Sequence, residues 1–311
     1  MQPIPTPATG SLIAPAPLRE GDEVIILSPS GKIEKALVEG QKKRLESWGL
    51  KVRIAPHALQ SYHSFAGTAE ERLSDLQTAL DDPSLRAIFC SRGGYGAVHL
   101  LESLDLSRFR ESPKWLVGFS DITALHSLLQ QQGYQSLHGL MARHIAMEAP
   151  DHPQTLRLRQ VLFGGDASCT AAPHPFNLTG TAEGILRGGN LSVFYGLRGT
   201  PFDLPAPGTI LLIEDVGERP YHVERMLYDL RLGGILPRLS GILVGQFTEY
   251  TEDRAIGSTL YEMILRMVRP YGYPVAFGFP VGHTPDNTSL PLGRRYKLCV
   301  EPNSVHLVSQ P

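Results

Sequence analysis

Short apolar runs alternate with longer stretches of helical spacing along the first part of the chain. Val24-Ile-Ile-Leu27 is an apolar run closed by Ser28-Pro-Ser-Gly31, the mark of a buried strand entering a turn. Residues 34–49 place Ala36, Leu37, Leu45 and Trp48 among Lys, Glu and Gln, and Gly49 supplies a helix stop. Lys51–Ile54 reads as a second strand, and Leu73, Leu76 and Leu80 give residues 69–80 a second helical face. Ala87-Ile-Phe-Cys90 predicts a strand, Arg92-Gly-Gly-Tyr-Gly96 a tight turn and residues 97–104 a helix. Trp115-Leu-Val117 predicts a strand and residues 121–131 a helix. Strands and helices alternating in this way predict a parallel sheet with right-handed crossovers. Ligands of such sheets bind at the carboxyl ends of strands. The turns at 92–96 and 118–121 both fall there, so one site is expected to use both.

The texture then changes. Residues 146–180 carry Pro150, Pro153, Pro173 and Pro175 and no clear period, and are expected to connect two domains. Beyond them, apolar runs at Ile210–Ile213, Ile242–Val244, Val275–Phe277, Leu298–Val300 and Val305–Val308 are separated by helical stretches near 222–232 and 258–268. This predicts a mixed α/β domain over 181–311, after an α/β domain over 18–145. Residues 1–17, rich in proline and without a basic segment or an apolar core, are expected to form a flexible arm rather than a signal peptide.

Composition narrows the classes. The 311 residues are 42% hydrophobic, enough to bury a full core. With 29 basic against 31 acidic residues the chain has no basic excess to draw it to nucleic acid. No run approaches the roughly 20 apolar residues of a membrane span. Cys90, Cys169 and Cys299 are odd in number and widely spaced, which suits reduced thiols and the cytoplasm, and no His, Cys or carboxylate spacing of the zinc type occurs. Neither metal nor cofactor is expected. The nucleotide loops fail as well: His99 stands where Gly-x-Gly-x-x-Gly needs its last glycine, and no glycine lies five residues before Gly31.

Ser120 lies between a predicted strand and a predicted helix, where a side chain is turned outward and the helix N–H groups face whatever it attacks. A nucleophilic serine needs both, although serine is equally a common helix cap. Ile122 stands where the Gly-x-Ser-x-Gly elbow has its second glycine, which disfavours the α/β-hydrolase fold. A base and an orienting acid must accompany such a serine. Of the 11 histidines, His283 is set apart by the glycine-bounded loop Gly278-Phe-Pro-Val-Gly-His-Thr-Pro. Glu214 ends an apolar strand, where a carboxylate is costly without a partner, but Asp215 and Glu218 compete with it.

The chain resembles the LD-carboxypeptidases, the muramoyltetrapeptide carboxypeptidase family of serine peptidases. The markers run in order from about residue 18 to 303: Pro17-Leu-Arg-Glu-Gly-Asp22, Ser28-Pro-Ser-Gly31, Phe65-Ala-Gly-Thr68 with Glu71-Arg-Leu73, Arg92-Gly-Gly-Tyr-Gly96, Gly118-Phe-Ser-Asp-Ile-Thr-Ala124, Gly188-Gly-Asn-Leu191, Leu212-Ile-Glu-Asp215 with Pro220-Tyr221 and Glu224-Arg-Met226, Gly245-Gln-Phe247, and Gly282-His283. The resemblance implies a flavodoxin-like parallel-sheet domain followed by a swivelling mixed α/β domain. It also implies a Ser120–Glu214–His283 triad, with the backbone N–H groups of Asp121 and Gly94 as oxyanion donors. The implied reaction removes the terminal D-Ala from a murein tetrapeptide or muropeptide during peptidoglycan recycling, and the implied assembly is a homodimer. Arg92 and Arg225 are candidates for the substrate carboxylate, since guanidinium binds carboxylate bidentately, though Arg225 would serve equally as a helix brace. Asn190 fits either substrate binding or a helix cap. Two other functions compete: a microcin-immunity-like peptidase that cleaves aminoacyl-nucleotide amides, and a protein that binds murein peptide without cutting it.

Overall fold

The computed structural model describes residues 11–205 and 207–310. The chain divides into two compact units. One comprises Ile13–Asp166 with Thr288–Pro291; the other comprises Ala167–Asn287 with the segment from Leu292 onward, and Leu12 joins it.

The first unit runs through β1 (Glu23–Leu27), α1 (Lys35–Glu46), β2 (Lys51–Ile54), α2 (Ala69–Asp81), β3 (Leu85–Cys90), α3 (Ser107–Glu111), β4 (Trp115–Gly118), α4 (Thr123–Gln131), β5 (Ser136–His138), α5 (Ala142–Met147) and α6 (Pro153–Leu162). The second runs through β6 (Cys169–Ala171), β7 (Gly180–Asn190), α7 (Leu191–Gly196), β8 (Thr209–Val216), α8 (Pro220–Leu232), β9 (Gly241–Thr248), α9 (Leu260–Val268) and β10 (Val275–Ala276). The chain then adds β11 (Leu290–Leu292) to the first sheet and returns as β12 (Arg295–Val300) and β13 (Val305–Ser309).

The first sheet is ordered β11-β5-β4-β3-β1-β2, with β1 to β5 parallel. The order β2-β1-β3-β4-β5 is the flavodoxin-like one, and its direction reverses between β1 and β3. Its inner strands β1 and β4 read as apolar runs because both faces are covered, and β4 is buried throughout, whereas the edge strand β2 is partly exposed. The helices start where their chemistry allows. Thr68 and Glu71 form a reciprocal cap on α2. At the other end of α2, buried Lys114 donates to the carbonyls of Ala79, Leu80 and Asp82, and burial lowers its pKa to about 8. The second sheet is ordered β10-β9-β8-β7-β12-β13-β6, parallel from β10 to β7 and antiparallel beyond.

Several boundaries differ from expectation. Residues 146–166 do not connect domains: α6 belongs to the first unit, and Pro153 opens it at the position where a missing N–H costs nothing. Residues 169–171 already pair in the second sheet as β6. The predicted helix at 97–104 is a 3-10 turn over Ala97–Ser103, and that at 121–131 is a 3-10 turn over Ser120–Ile122 followed by α4. Of the expected flexible arm, residues 1–10 lie outside the described residues. The remainder is tied down: Ile13 bonds Gly133 and Gln135, and Trp115 Nε1 donates to the carbonyl of Ala16.

Candidate active site

In the first unit, the loops leaving β1, β3 and β4 meet at one end of the sheet. Gly31 N–H donates to the Gly93 carbonyl at 3.0 Å. The Asp121 carboxylate accepts from Ser30 Oγ at 2.6 Å and from Ala97 N–H at 2.8 Å. It is 4% exposed, and burial raises its pKa against the pull of those hydrogen bonds and of Arg72. Arg72, itself buried on α2, donates to the carbonyls of Pro29 and Gly96 and lies over the Phe65 ring. These bonds account for the Ser-Pro-Ser-Gly, Phe-Ala-Gly-Thr and Arg-Gly-Gly-Tyr-Gly motifs: each fixes a loop around the residue after Phe119.

That residue is Ser120, held at φ 63°. A non-glycine residue there costs roughly 1–2 kcal/mol and persists only where its surroundings enforce it. No side-chain cap is made at the start of the 3-10 turn or of α4. Gly93 packs against the same point: a Cβ on it would lie 2.8 Å from Ser120 Cβ, 3.0 Å from Oγ and 3.2 Å from Asp121 N. The Arg-Gly-Gly turn therefore passes directly over the serine and the Asp121 amide. Gly94 follows at φ 101°, and its N–H meets no acceptor among the described residues. Arg92 is exposed and gives one hydrogen bond to the Lys32 carbonyl at 2.8 Å.

In the second unit, Glu214 near the end of β8 is fully buried and its Oε2 lies 2.8 Å from His283 Nδ1. The His283 loop is fixed from several sides. Gln246 Nε2 donates to the carbonyls of Gly278 and Phe279, Gln246 N–H donates to Val281, and Gly282 N–H donates to Asn287 Oδ1. Gly282 adopts φ 123°, and a Cβ on it would lie 2.9 Å from Glu214 Oε2, so the position demands glycine. Burial, the largest influence on His283, opposes its charge. The hydrogen bond to Glu214 and the charges of Glu214, Asp215 and Glu249 outweigh it, so its pKa is raised. Glu214 Oε1 is buried without a hydrogen-bond partner among the described residues.

The three competing carboxylates are separated by their partners. Glu218 Oε2 lies 3.0 Å from His222 Nδ1. Asp215 accepts from Asn190 Nδ2 and from the Ser192 and Val216 N–H groups, and burial raises its pKa to about 6. Asn190 caps α7 through Val193 N–H. Arg225, exposed on α8, lies over the Tyr221 ring. Glu249, at φ 54° just beyond β9, is a residue the sequence pattern did not single out; its place after a strand end is the signal that could have marked it.

Two family models match the chain: the LD-carboxypeptidase N-terminal domain over residues 24–139 and the LD-carboxypeptidase C-terminal domain over residues 183–298. A probable murein peptide carboxypeptidase of Bacillus subtilis is 33% identical over 90% of both chains. The murein tetrapeptide carboxypeptidase of Pseudomonas aeruginosa is 32% identical over 87% of this chain and 91% of its own. Among solved structures, a muramoyltetrapeptide carboxypeptidase from Oxalobacter formigenes superposes with a TM-score of 0.83 at 28% identity, covering 93% of this chain and 99% of the other. An MccF-like protein from Bacillus anthracis shares the fold with a TM-score of 0.84 at 24% identity, covering 96% of this chain and 100% of the other.

Proposed function

The chain belongs to the LD-carboxypeptidase family, and on that premise we propose that it is a serine carboxypeptidase that removes the terminal D-Ala from murein tetrapeptides. The observation that carries the reading is the pair of half-sites: a strained serine under a glycine turn in one unit, and a buried carboxylate holding a histidine in the other. Each half has a form that acyl transfer uses and that a plain binding protein has no need of.

In the proposed reaction His283 Nε2 is the base for Ser120 Oγ. His283 takes the hydroxyl proton, and Ser120 attacks the carbonyl that joins the third residue to D-Ala. Glu214 holds Nδ1–H and stabilises the imidazolium that forms. The N–H groups of Asp121 and Gly94 receive the oxyanion. His283 then returns the proton to the amine of D-Ala, and water releases the tripeptide by the reverse sequence. Arg92, beside Gly93, is the candidate for the terminal carboxylate. The reading also carries the cytoplasm and a homodimer as expectations.

Gly93 offers a selective test of the oxyanion arrangement. Gly93→Ala is expected to lower kcat/KM by roughly a hundredfold, about the loss seen when one oxyanion donor is removed, with circular dichroism unchanged. Near-normal turnover would remove the turn from the site.

The microcin-immunity reading would require an aromatic platform for a base. Phe277 and Phe279, which precede His283, are 1% and 0% exposed and offer no face to a ligand. The deciding experiment incubates the purified protein with a tetrapeptide ending in D-Ala and follows it by mass spectrometry. Loss of one alanine is expected. An intact tetrapeptide beside hydrolysis of an aminoacyl nucleotide would reverse the assignment, and neither reaction would leave the binding-protein reading.

A further inference from the structure

Both proposed oxyanion donors are backbone N–H groups, and a backbone group is aimed only by what holds its peptide. Gly31 N–H donates to the Gly93 carbonyl at 3.0 Å. In a planar trans peptide the N–H points opposite to the C=O, so this bond turns the Gly94 N–H away from Gly31. The contact leaves little play: a Cβ on Gly31 would lie 2.9 Å from the Gly93 carbonyl oxygen. The aim of the Gly94 donor is therefore set by the 28–31 loop, and whatever fixes that loop fixes the donor.

Two buried side chains of opposite charge do so. Arg72 Nη1 donates to the Pro29 carbonyl at 2.7 Å and to the Gly96 carbonyl at 2.8 Å. Asp121 Oδ2 accepts from Ser30 Oγ at 2.6 Å and from Ala97 N–H at 2.8 Å. The two side chains thus grip the same two places: neighbouring residues in the 28–31 loop, and the two ends of the Gly96–Ala97 peptide. No hydrogen bond or ion pair joins Arg72 to Asp121 directly among the described residues. The peptide stands between them, its carbonyl toward the guanidinium and its N–H toward the carboxylate. Each charge then strengthens the other's bond through the peptide dipole. Arg72 is steadied from a further side by His99 Nδ1, 3.2 Å from Nη2. Asp121 is, besides, the residue whose own N–H is the other proposed donor.

We infer that the side chains of Arg72 and Asp121 are positioning residues for the oxyanion site: they lock the 28–31 and 92–97 loops together so that the N–H groups of Gly94 and Asp121 converge. The inference rests on the serine-carboxypeptidase reading. Hydrogen bonds weaken steeply with misalignment. Donors aimed at the oxyanion act on the transition state rather than on bound substrate. The pair therefore governs kcat and leaves KM nearly alone.

The test measures kcat and KM for a tetrapeptide ending in D-Ala, inhibition by a peptide boronate that forms a tetrahedral adduct with the serine, and the thermal midpoint. The proteins are wild type, Asp121→Asn, Arg72→Met, their double variant and Gly31→Ala. Asp121→Asn keeps the shape and removes the charge; it is expected to lower kcat roughly tenfold to a hundredfold, the scale of a misplacement by about 1 Å. KM should stay within about threefold, and the boronate should weaken by about the factor lost from kcat/KM. Both side chains hold the same peptide, so the double variant should lose less than the product of the single losses. Gly31→Ala leaves both charges in place and presses on the Gly93 carbonyl; it should show the same split, and it decides the question if a charge variant fails to fold. A lowered thermal midpoint with kcat and boronate affinity near wild type, a loss confined to KM, or single losses that simply multiply overturns the positioning role and leaves the carboxypeptidase reading intact. A wild type that leaves the tetrapeptide uncut overturns both.

Discussion

Replacing Ser120 with alanine is expected to lower kcat/KM for the tetrapeptide by at least about ten-thousandfold, the scale on which serine peptidases lose rate with their nucleophile. The fold should survive. Ser120 lies at the rim of a buried sheet end, and its Oγ caps neither the 3-10 turn nor α4. The remaining hydrolysis would be what binding and the oxyanion donors provide alone. A second substitution separates chemistry from strain. Ser120→Gly should be equally inactive, yet relief of the φ of 63° should offset part of the usual cost of glycine. Its thermal midpoint is therefore expected to be at or above that of Ser120→Ala. Turnover within tenfold of wild type in either variant would remove Ser120 from the mechanism. A lower midpoint for Ser120→Gly would show that the elbow is not strained.

The site was legible in the sequence to the extent that it rests on strand ends. β3 and β4 are apolar runs that stop at turn residues, so the pattern of residues alone assigns the turns at 92–96 and 118–121 to the carboxyl end of a sheet. What the pattern cannot convey is backbone sign: nothing in Gly-Phe-Ser-Asp announces a left-handed serine. Long-range partners are equally hidden. Glu214, Asp215 and Glu218 look alike in sequence and separate only when His283, Asn190 and His222 reach them. Two glycine-rich or proline-containing strands escaped for a related reason. β7 reads Gly-Thr-Ala-Glu-Gly-Ile-Leu-Arg-Gly-Gly-Asn and β11 contains Pro291, both against local strand preference. Their pairing with β8 and β12, and with β5, overrides that preference.

Glu214→Gln should lower kcat/KM by about a thousandfold to ten-thousandfold, with Glu218→Gln within twofold of wild type. The asymmetry follows from what each carboxylate holds. Glu214 Oε2 accepts from Nδ1 of His283, which keeps the other ring nitrogen free of a proton when the ring is neutral; an amide can instead donate to Nδ1 and impose the wrong tautomer, a change known to cost about ten-thousandfold elsewhere. Glu218 is committed to His222. The pH profile gives an independent reading. His283 must be neutral to accept the serine proton, and its pKa is raised, so kcat/KM should climb with pH through a midpoint above the ordinary histidine value of about 6.5. Glu214→Gln removes the main upward pull, and the midpoint of its residual activity should move to lower pH. The stability term has the matching sign. The folded pKa of His283 lies above the unfolded one, so the His283–Glu214 attraction contributes fully below about pH 6.5 and fades as pH rises through the folded value. The thermal midpoint of wild type relative to Glu214→Gln should therefore be highest in mild acid and narrow toward alkaline pH. A profile unmoved by Glu214→Gln, or a greater loss at Glu218, would transfer the orienting role away from Glu214.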